Sequence, residues 1–299
     1  MDNDNTVSLN KYISTTGLCS RREADRLIER GRVSINRHPA RKGNRVGPKD
    51  KVLVDGRPLD DRPETIYLAF NKPVGIVCTT DDRAKDNIIR YLNYPERLFP
   101  IGRLDKPSEG LIFLTNDGDI VNKILRAGNK HEKEYVVHVD KAITEKFLKN
   151  MSSGVQILDR VTKRCEVEQI TPLSFRIILT QGMNRQIRRM CTHLGYEVVK
   201  LKRIRVMHVT LEHIPPGEWR EFTPEEMAKM EEVLAKSTNL SAKERSKPRP
   251  KKKPHTTTSR SSGGGPSKGK YKGRGGQASS TKAKPKKKFG PRVGKSKKR

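Results

Sequence analysis

The chain has 299 residues and a formal charge of +30, from 64 Lys and Arg against 34 Asp and Glu; only 32% of its residues are hydrophobic and 5% aromatic. That apolar share is low for a chain that is globular throughout, and no apolar run reaches the roughly 18 residues of a membrane span, so no membrane partner is expected. Cys19, Cys78, Cys165 and Cys191 lie far apart with no CxxC pair, which argues against a zinc ribbon or a disulfide framework and makes a reducing cytoplasm the expected setting.

The charge divides the chain. Residues 6–62 carry +7, residues 63–236 only +4, and residues 237–299 carry +21, with 22 basic side chains against one acid. The last segment has too few apolar residues to offset the entropy of ordering and is predicted to be a disordered basic tail. It reads either as a loose tether to RNA or as a solubilising extension. The acidic, polar first five residues show no secretory signal. The positive balance points to a polyanion, of which nucleic acid is the commonest.

In chain order, Leu9, Tyr12 and Ile13 fall at helical spacing and Gly17 closes that helix. Ser20 with Glu23 three residues on is a capping box for a second helix, with Ala24, Leu27 and Ile28 as its apolar stripe and Gly31 as its stop. Arg22, Arg26 and Arg30, four apart, share its other face and make a track for phosphates, unless the face is merely solvated. Val33 and Ile35, then Val52 and Val54 before Asp55-Gly56, alternate as small strands.

Residues 63–236 hold most of the apolar content. Strands are predicted at Tyr67 to Phe70, Gly75 to Thr79, Leu111 to Leu114, Tyr135 to Val139 and Phe175 to Leu179. Helices are predicted after Asn116-Asp117-Gly118, after Thr144, and after Thr223-Pro224 with Glu226. Strands outnumber helices and follow one another, so an α+β fold around a mostly antiparallel sheet is expected.

Two segments have unusual polarity. In Gly102-Arg103-Leu104-Asp105-Lys106 an acid stands between cations just before a buried strand. In Gly182-Met183-Asn184-Arg185-Gln186-Ile187-Arg188-Arg189-Met190, Ile187, Met190, Cys191 and Leu194 form a core stripe. Arg185, Arg188 and Arg189 then share the opposite side, with Asn184 as the expected cap. One carboxylate beside an arginine cluster suits chemistry on an anionic polymer, and equally suits a structural ion pair. No Walker loop, dinucleotide fingerprint or metal-ligand spacing is present, so neither cofactor nor metal is expected.

The N-terminal pattern, from Leu9-Asn10-Lys11-Tyr12 through Ser20-Arg21-Arg22-Glu23-Ala24 to Gly31-Arg32-Val33-Ser34-Ile35-Asn36, resembles the RNA-binding domain named after small-subunit ribosomal protein S4. Gly102-Arg103-Leu104-Asp105, Lys133-Glu134-Tyr135 and Gly182 to Met190, with Asn71-Lys72-Pro73-Val74-Gly75, resemble in order and spacing the motifs of RNA pseudouridine synthases, in the branch that modifies ribosomal RNA. The resemblance spans residues 6 to about 230. Gly128 to Tyr135 and the basic extension lean towards its large-subunit members.

The resemblance implies isomerisation of uridine to pseudouridine in a structured RNA loop, without a cofactor. Asp105 would be the nucleophile at the ribose or the base that takes the 2′ proton. Arg188 would be its ion-pair partner beside a buried carboxylate, and Tyr135 would stack on the flipped base. Arg103, Leu104, Lys106, Arg185, Gln186 and Ile187 would meet the RNA near the target. Large-subunit ribosomal RNA is the first expected partner and a transfer RNA a second, for a monomer. The alternatives are a small-subunit target, a non-catalytic ribosome-assembly factor, and a helix-turn-helix DNA binder built on Ser20 to Gly31.

Overall fold

The computed structural model describes residues 5–60, 63–126 and 129–237, so the basic tail expected from sequence lies, but for residue 237, outside the described residues. Helices Leu9–Thr15 and Arg21–Glu29 open the chain. The Glu23 amide donates to Ser20 Oγ at 3.2 Å and the Ser20 amide donates to the Glu23 carboxylate at 2.7 Å, completing the capping box. Strands Val33–Ile35 and Val52–Val54 then form the centre of a four-stranded antiparallel sheet, with His38–Pro39 and Arg57–Pro58 at its edges. Its turns, Asn36-Arg37 and Asp55-Gly56, have positive φ at both residues, the geometry that matches strand twist in a tight hairpin. Leu9, Ile13, Ala24 and Ile28 meet Val33, Val46, Val52 and Val54 in one small core. Arg22, Arg26 and Arg30 are exposed, as the spacing predicts, and Arg30 is the helix cap.

The following residues are built on one nine-stranded sheet. Its order is Glu166–Thr171, Ser174–Leu179, Lys133–Val139, Val198–Val206, Glu109–Thr115, Tyr67–Lys72 and Trp219–Glu221, with Phe99–Ile101 and Val209–Thr210 paired alongside. Every pairing in it is antiparallel except that of Val198–Val206 with Glu109–Thr115, which is parallel and joins only Lys202 to Glu109 and Arg203 to Gly110. The α+β, mostly antiparallel expectation therefore stands. Gly110, at φ +108°, makes the seam possible: a Cβ there would overlap the Arg203 carbonyl oxygen and stand 2.6 Å from the Arg203 amide nitrogen.

Apolar cores lie on both sides of the seam. On one, Val137, Phe175 and Ile177 pack against Phe147 and Met151 of helix Glu145–Ser153 and against Ile187, Met190 and Cys191 of helix Gln186–His193. On the other, Leu111 and Phe113 meet helices Gly118–Leu125 and Pro224–Ala235, while Phe70, Ile112 and Leu114 bury Ile88 on the opposite face.

The strand expected over Gly75 to Thr79 is absent; only a bridge from Val77 to Asn87 forms there. The cause is Lys72. It is fully buried, and its ammonium donates to the carbonyls of Pro73 and Ile76 at 2.8 and 2.9 Å, curling the segment into a loop. Among the described residues no helix is long and apolar enough to cross a membrane.

Candidate active site

Strand Phe99–Ile101 leads into Gly102, whose φ of +86° turns the chain before Arg103. Leu104 points inward, 7% exposed, among Phe70, Ile112 and Leu114, and its amide donates to Cys78 Sγ at 3.3 Å. Pinning Leu104 presents its neighbours Arg103 and Asp105 to the cleft. The loop is further tied by the Ser108 amide on the Asp105 carbonyl at 3.0 Å and the Gly75 amide on the Lys106 carbonyl at 2.9 Å. The Lys106 ammonium pairs with Asp86 at 2.6 Å, and Arg103 is exposed with no side-chain partner among the described residues.

The cleft, about 720 Å³, crosses the sheet seam. Asp105 is the one carboxylate among its lining residues, facing five cations: Arg103, Lys133, Arg185, Arg188 and Arg203. Tyr135 lines it from strand Lys133–Val139, paired across the sheet with Arg203, whose guanidinium stands 6.0 Å from the ring centre. Asp105, Tyr135 and the arginine segment, distant in sequence, are thus brought to one cavity.

The details differ from expectation in three respects. First, the arginine within ion-pair reach of Asp105 is Arg185, at 4.0 Å, rather than Arg188, and the carboxylate is one-third exposed rather than buried. Arg185, not Asn184, is the helix cap, and its left-handed backbone (φ +50°) aims its side chain away from the direction that helical periodicity implies. Second, Arg188 braces the loop. It donates to the carbonyls of Val198 at 3.0 Å and Pro107 at 3.2 Å and to Ser108 Oγ at 3.3 Å, linking its helix to the chain just after Asp105.

Third, Gln186, Ile187 and Leu104, expected at the RNA, are buried and show only an edge to the cleft. Ile187 belongs to the helix core, and Gln186 folds back to accept the Met183 amide at 3.0 Å, fixing the loop ahead of the helix. Arg22, Arg26 and Arg30 lie outside this cleft.

Lys133 has no role of its own in the sequence, yet it faces the same cavity. The signal was its place two residues before Tyr135 on one strand, since alternate residues share a face. Burial, aided by the Arg203 charge, pushes its pKa down to about 8, and its ammonium donates to the His131 carbonyl at 3.0 Å. Burial and then the like charge of Arg185 also push the Arg188 pKa down, opposed by Asp105. Among the described residues no group of three or more His, Cys, Asp or Glu side chains could hold a metal ion.

Comparison with known proteins identifies the family. Residues 7–52 match the S4 domain and residues 66–193 match the RNA pseudouridylate synthase family. The dual-specificity RNA pseudouridine synthase RluF of Escherichia coli (strain K12) is 55% identical over 248 residues, 82% of this chain and 86% of that protein. The chain belongs to the RNA pseudouridine synthases. The ribosomal large subunit pseudouridine synthase B of Bacillus subtilis (strain 168) is 31% identical over 231 residues, covering 74% of this chain and 94% of its own. A crystal structure of a pseudouridylate synthase superposes with a TM-score of 0.55 at 27% identity, over 76% of this chain and 99% of that one.

Membership of the RNA pseudouridine synthases makes the protein an RNA-modifying enzyme. Neither the non-catalytic assembly factor nor the helix-turn-helix DNA binder stands.

Proposed function

We propose that this pseudouridine synthase modifies a uridine in a structured loop of large-subunit (23S) ribosomal RNA, with a transfer RNA as a second substrate. The Bacillus relative is named for the ribosomal large subunit and the RluF relatives for dual specificity, which supports this order over a small-subunit target. Residues 6–62 serve as the S4-type RNA-binding domain, 63–236 as the catalytic domain, and 237–299 as a basic extension. The protein works as a cytoplasmic monomer.

The observation that carries the mechanism is the single carboxylate, Asp105, in a cation-lined cleft with Arg185 at 4.0 Å. The target uridine leaves its stack, a cost of a few kcal/mol that is smallest in a loop. Asp105 then acts on the ribose, as nucleophile at C1′ or as base for the 2′ proton. The N1–C1′ bond breaks, the uracil turns and C5 bonds to C1′; on the first route the Asp105–C1′ bond breaks as C5 attacks, on the second Asp105 returns the proton to C2′, and on both the C5 proton leaves as N1 gains one. Tyr135 stacks on the base. Arg185 orients the Asp105 carboxylate, and Arg188 acts as a positioning residue through Pro107 and Ser108. Arg103 and Lys106 take backbone phosphates, and Arg22, Arg26 and Arg30 hold a more distant stretch of RNA.

Mapping pseudouridines in ribosomal and transfer RNA from a deletion strain tests this. One large-subunit site and one transfer RNA site should be lost, then restored by the wild-type chain and not by Asp105→Asn. Loss of a small-subunit site instead would overturn the substrate assignment.

A further inference from the structure

A second hollow, about 460 Å³, lies where the exposed side of helix Gln186–His193 faces the hairpin formed by Gln156–Ile157 and Arg160–Val161. Arg185 and Arg188 line both this hollow and the active-site cleft, so the two adjoin. Arg189 and His193 extend the basic lining beside Thr192, and no lining residue is acidic. Arg189 is held by Asn184, through Nε on its carbonyl at 3.1 Å and Nη2 on its side-chain oxygen at 3.3 Å, which leaves Nη1 for a ligand. The Arg188 Nε is buried and makes no hydrogen bond.

The hairpin turn adds an independent sign. Leu158 and Asp159 both hold left-handed backbone, φ +47° and +58°, where Asn-Gly is the favoured pair. A branched residue there costs about 1–2 kcal/mol. The strain holds a leucine that is 45% exposed at the rim of the hollow. Strained residues of this kind cluster at active sites and ligand clamps.

Resting on the pseudouridine synthase reading, we infer that this hollow seats the RNA strand flanking the target uridine, with Arg189 and His193 on backbone phosphates and Leu158 against a ribose or base. Acid-free basic lining suits a polyanion, and the two arginines shared with the cleft point to the substrate strand itself as that polyanion. A minimal substrate would fill only the cleft. A longer one would reach the hollow on one side, 5′ or 3′ of the uridine.

The test compares a minimal target loop with the same RNA extended by several nucleotides on either side, scoring binding, KM and single-turnover rate. For the wild type, extension on one side tightens binding. The double variant Arg189→Ala/His193→Ala should raise KM about tenfold on that extended RNA. It should flatten the salt dependence of log K by about 0.7 for each phosphate no longer neutralised, and leave the short RNA and the saturated rate unchanged. Leu158→Asn relieves the turn and should lose the extension benefit while keeping the fold, which guards against a fold defect in the first variant. Equal behaviour of variants and wild type on extended RNA, or equal losses on both lengths, would overturn the inference. Absence of pseudouridine from every wild-type reaction would instead sink the functional reading, and the binding arm would still decide on the hollow.

Discussion

The guanidinium of Arg185 stands 4.0 Å from the Asp105 carboxylate, and it does so from a left-handed backbone position at the head of helix Gln186–His193. Glycine removes both the charge and the strain. Arg185→Gly should therefore leave thermal stability within about 1 kcal/mol of wild type, while kcat falls roughly 10- to 100-fold because Asp105 loses its orienting partner. Unaltered kcat would show that this ion pair plays no part in turnover.

Arg188 gives a contrasting expectation, because its three hydrogen bonds are structural. Arg188→Ala leaves the Val198 and Pro107 carbonyls without their donor and should cost about 2 kcal/mol in chemical denaturation as well as activity. Arg188→Lys cannot span both carbonyls in a fork and should recover stability only in part. A fully stable, inactive Arg188→Ala would point to direct contact with the reacting uridine.

Lys133 gives a pH signature. Its folded pKa, about 8, lies below the ordinary lysine value of 10.5, so the charged form is penalised in the fold. The penalty is complete below about pH 8 and disappears above the unfolded value, so stability contributed at this position rises with pH between the two. Lys133→Met should be more stable than wild type at pH 7, with the gap closing between pH 8 and 10.5 in denaturation curves. A gap that stays constant with pH would contradict the buried-lysine account.

Gly110 is the backbone condition for the cleft. With its φ of +108° and the Arg203 backbone against it, Gly110→Ala should cost at least ~3 kcal/mol or prevent folding. A melting temperature within a degree or two of wild type would mean that the seam yields easily.

Much of this was legible in the sequence, for physical reasons that also mark where legibility ended. The capping boxes at Ser20 and Thr223 are local hydrogen-bond patterns and formed as read. Strands Val198–Val206 and Glu166–Thr171 were not read, because burial there does not follow hydrophobicity: Arg203 is buried while Val199 and Ile170 are exposed. In the site, the motif residues of both segments reached one cavity. Helical periodicity, however, cannot foresee a left-handed cap, so Arg185 holds the place at Asp105 that was expected of Arg188. Lys133 was hidden because its importance comes from burial beside Arg203, a neighbour only across the sheet.

The most direct test of the central claim is single-turnover formation of pseudouridine at saturating RNA by purified Asp105→Asn beside wild type. The substitution keeps the shape of a one-third-exposed side chain and removes its charge, so RNA affinity and melting temperature should hold. The rate should fall by at least ~10³-fold. A rate within tenfold of wild type would contradict the assignment of the chemistry to Asp105.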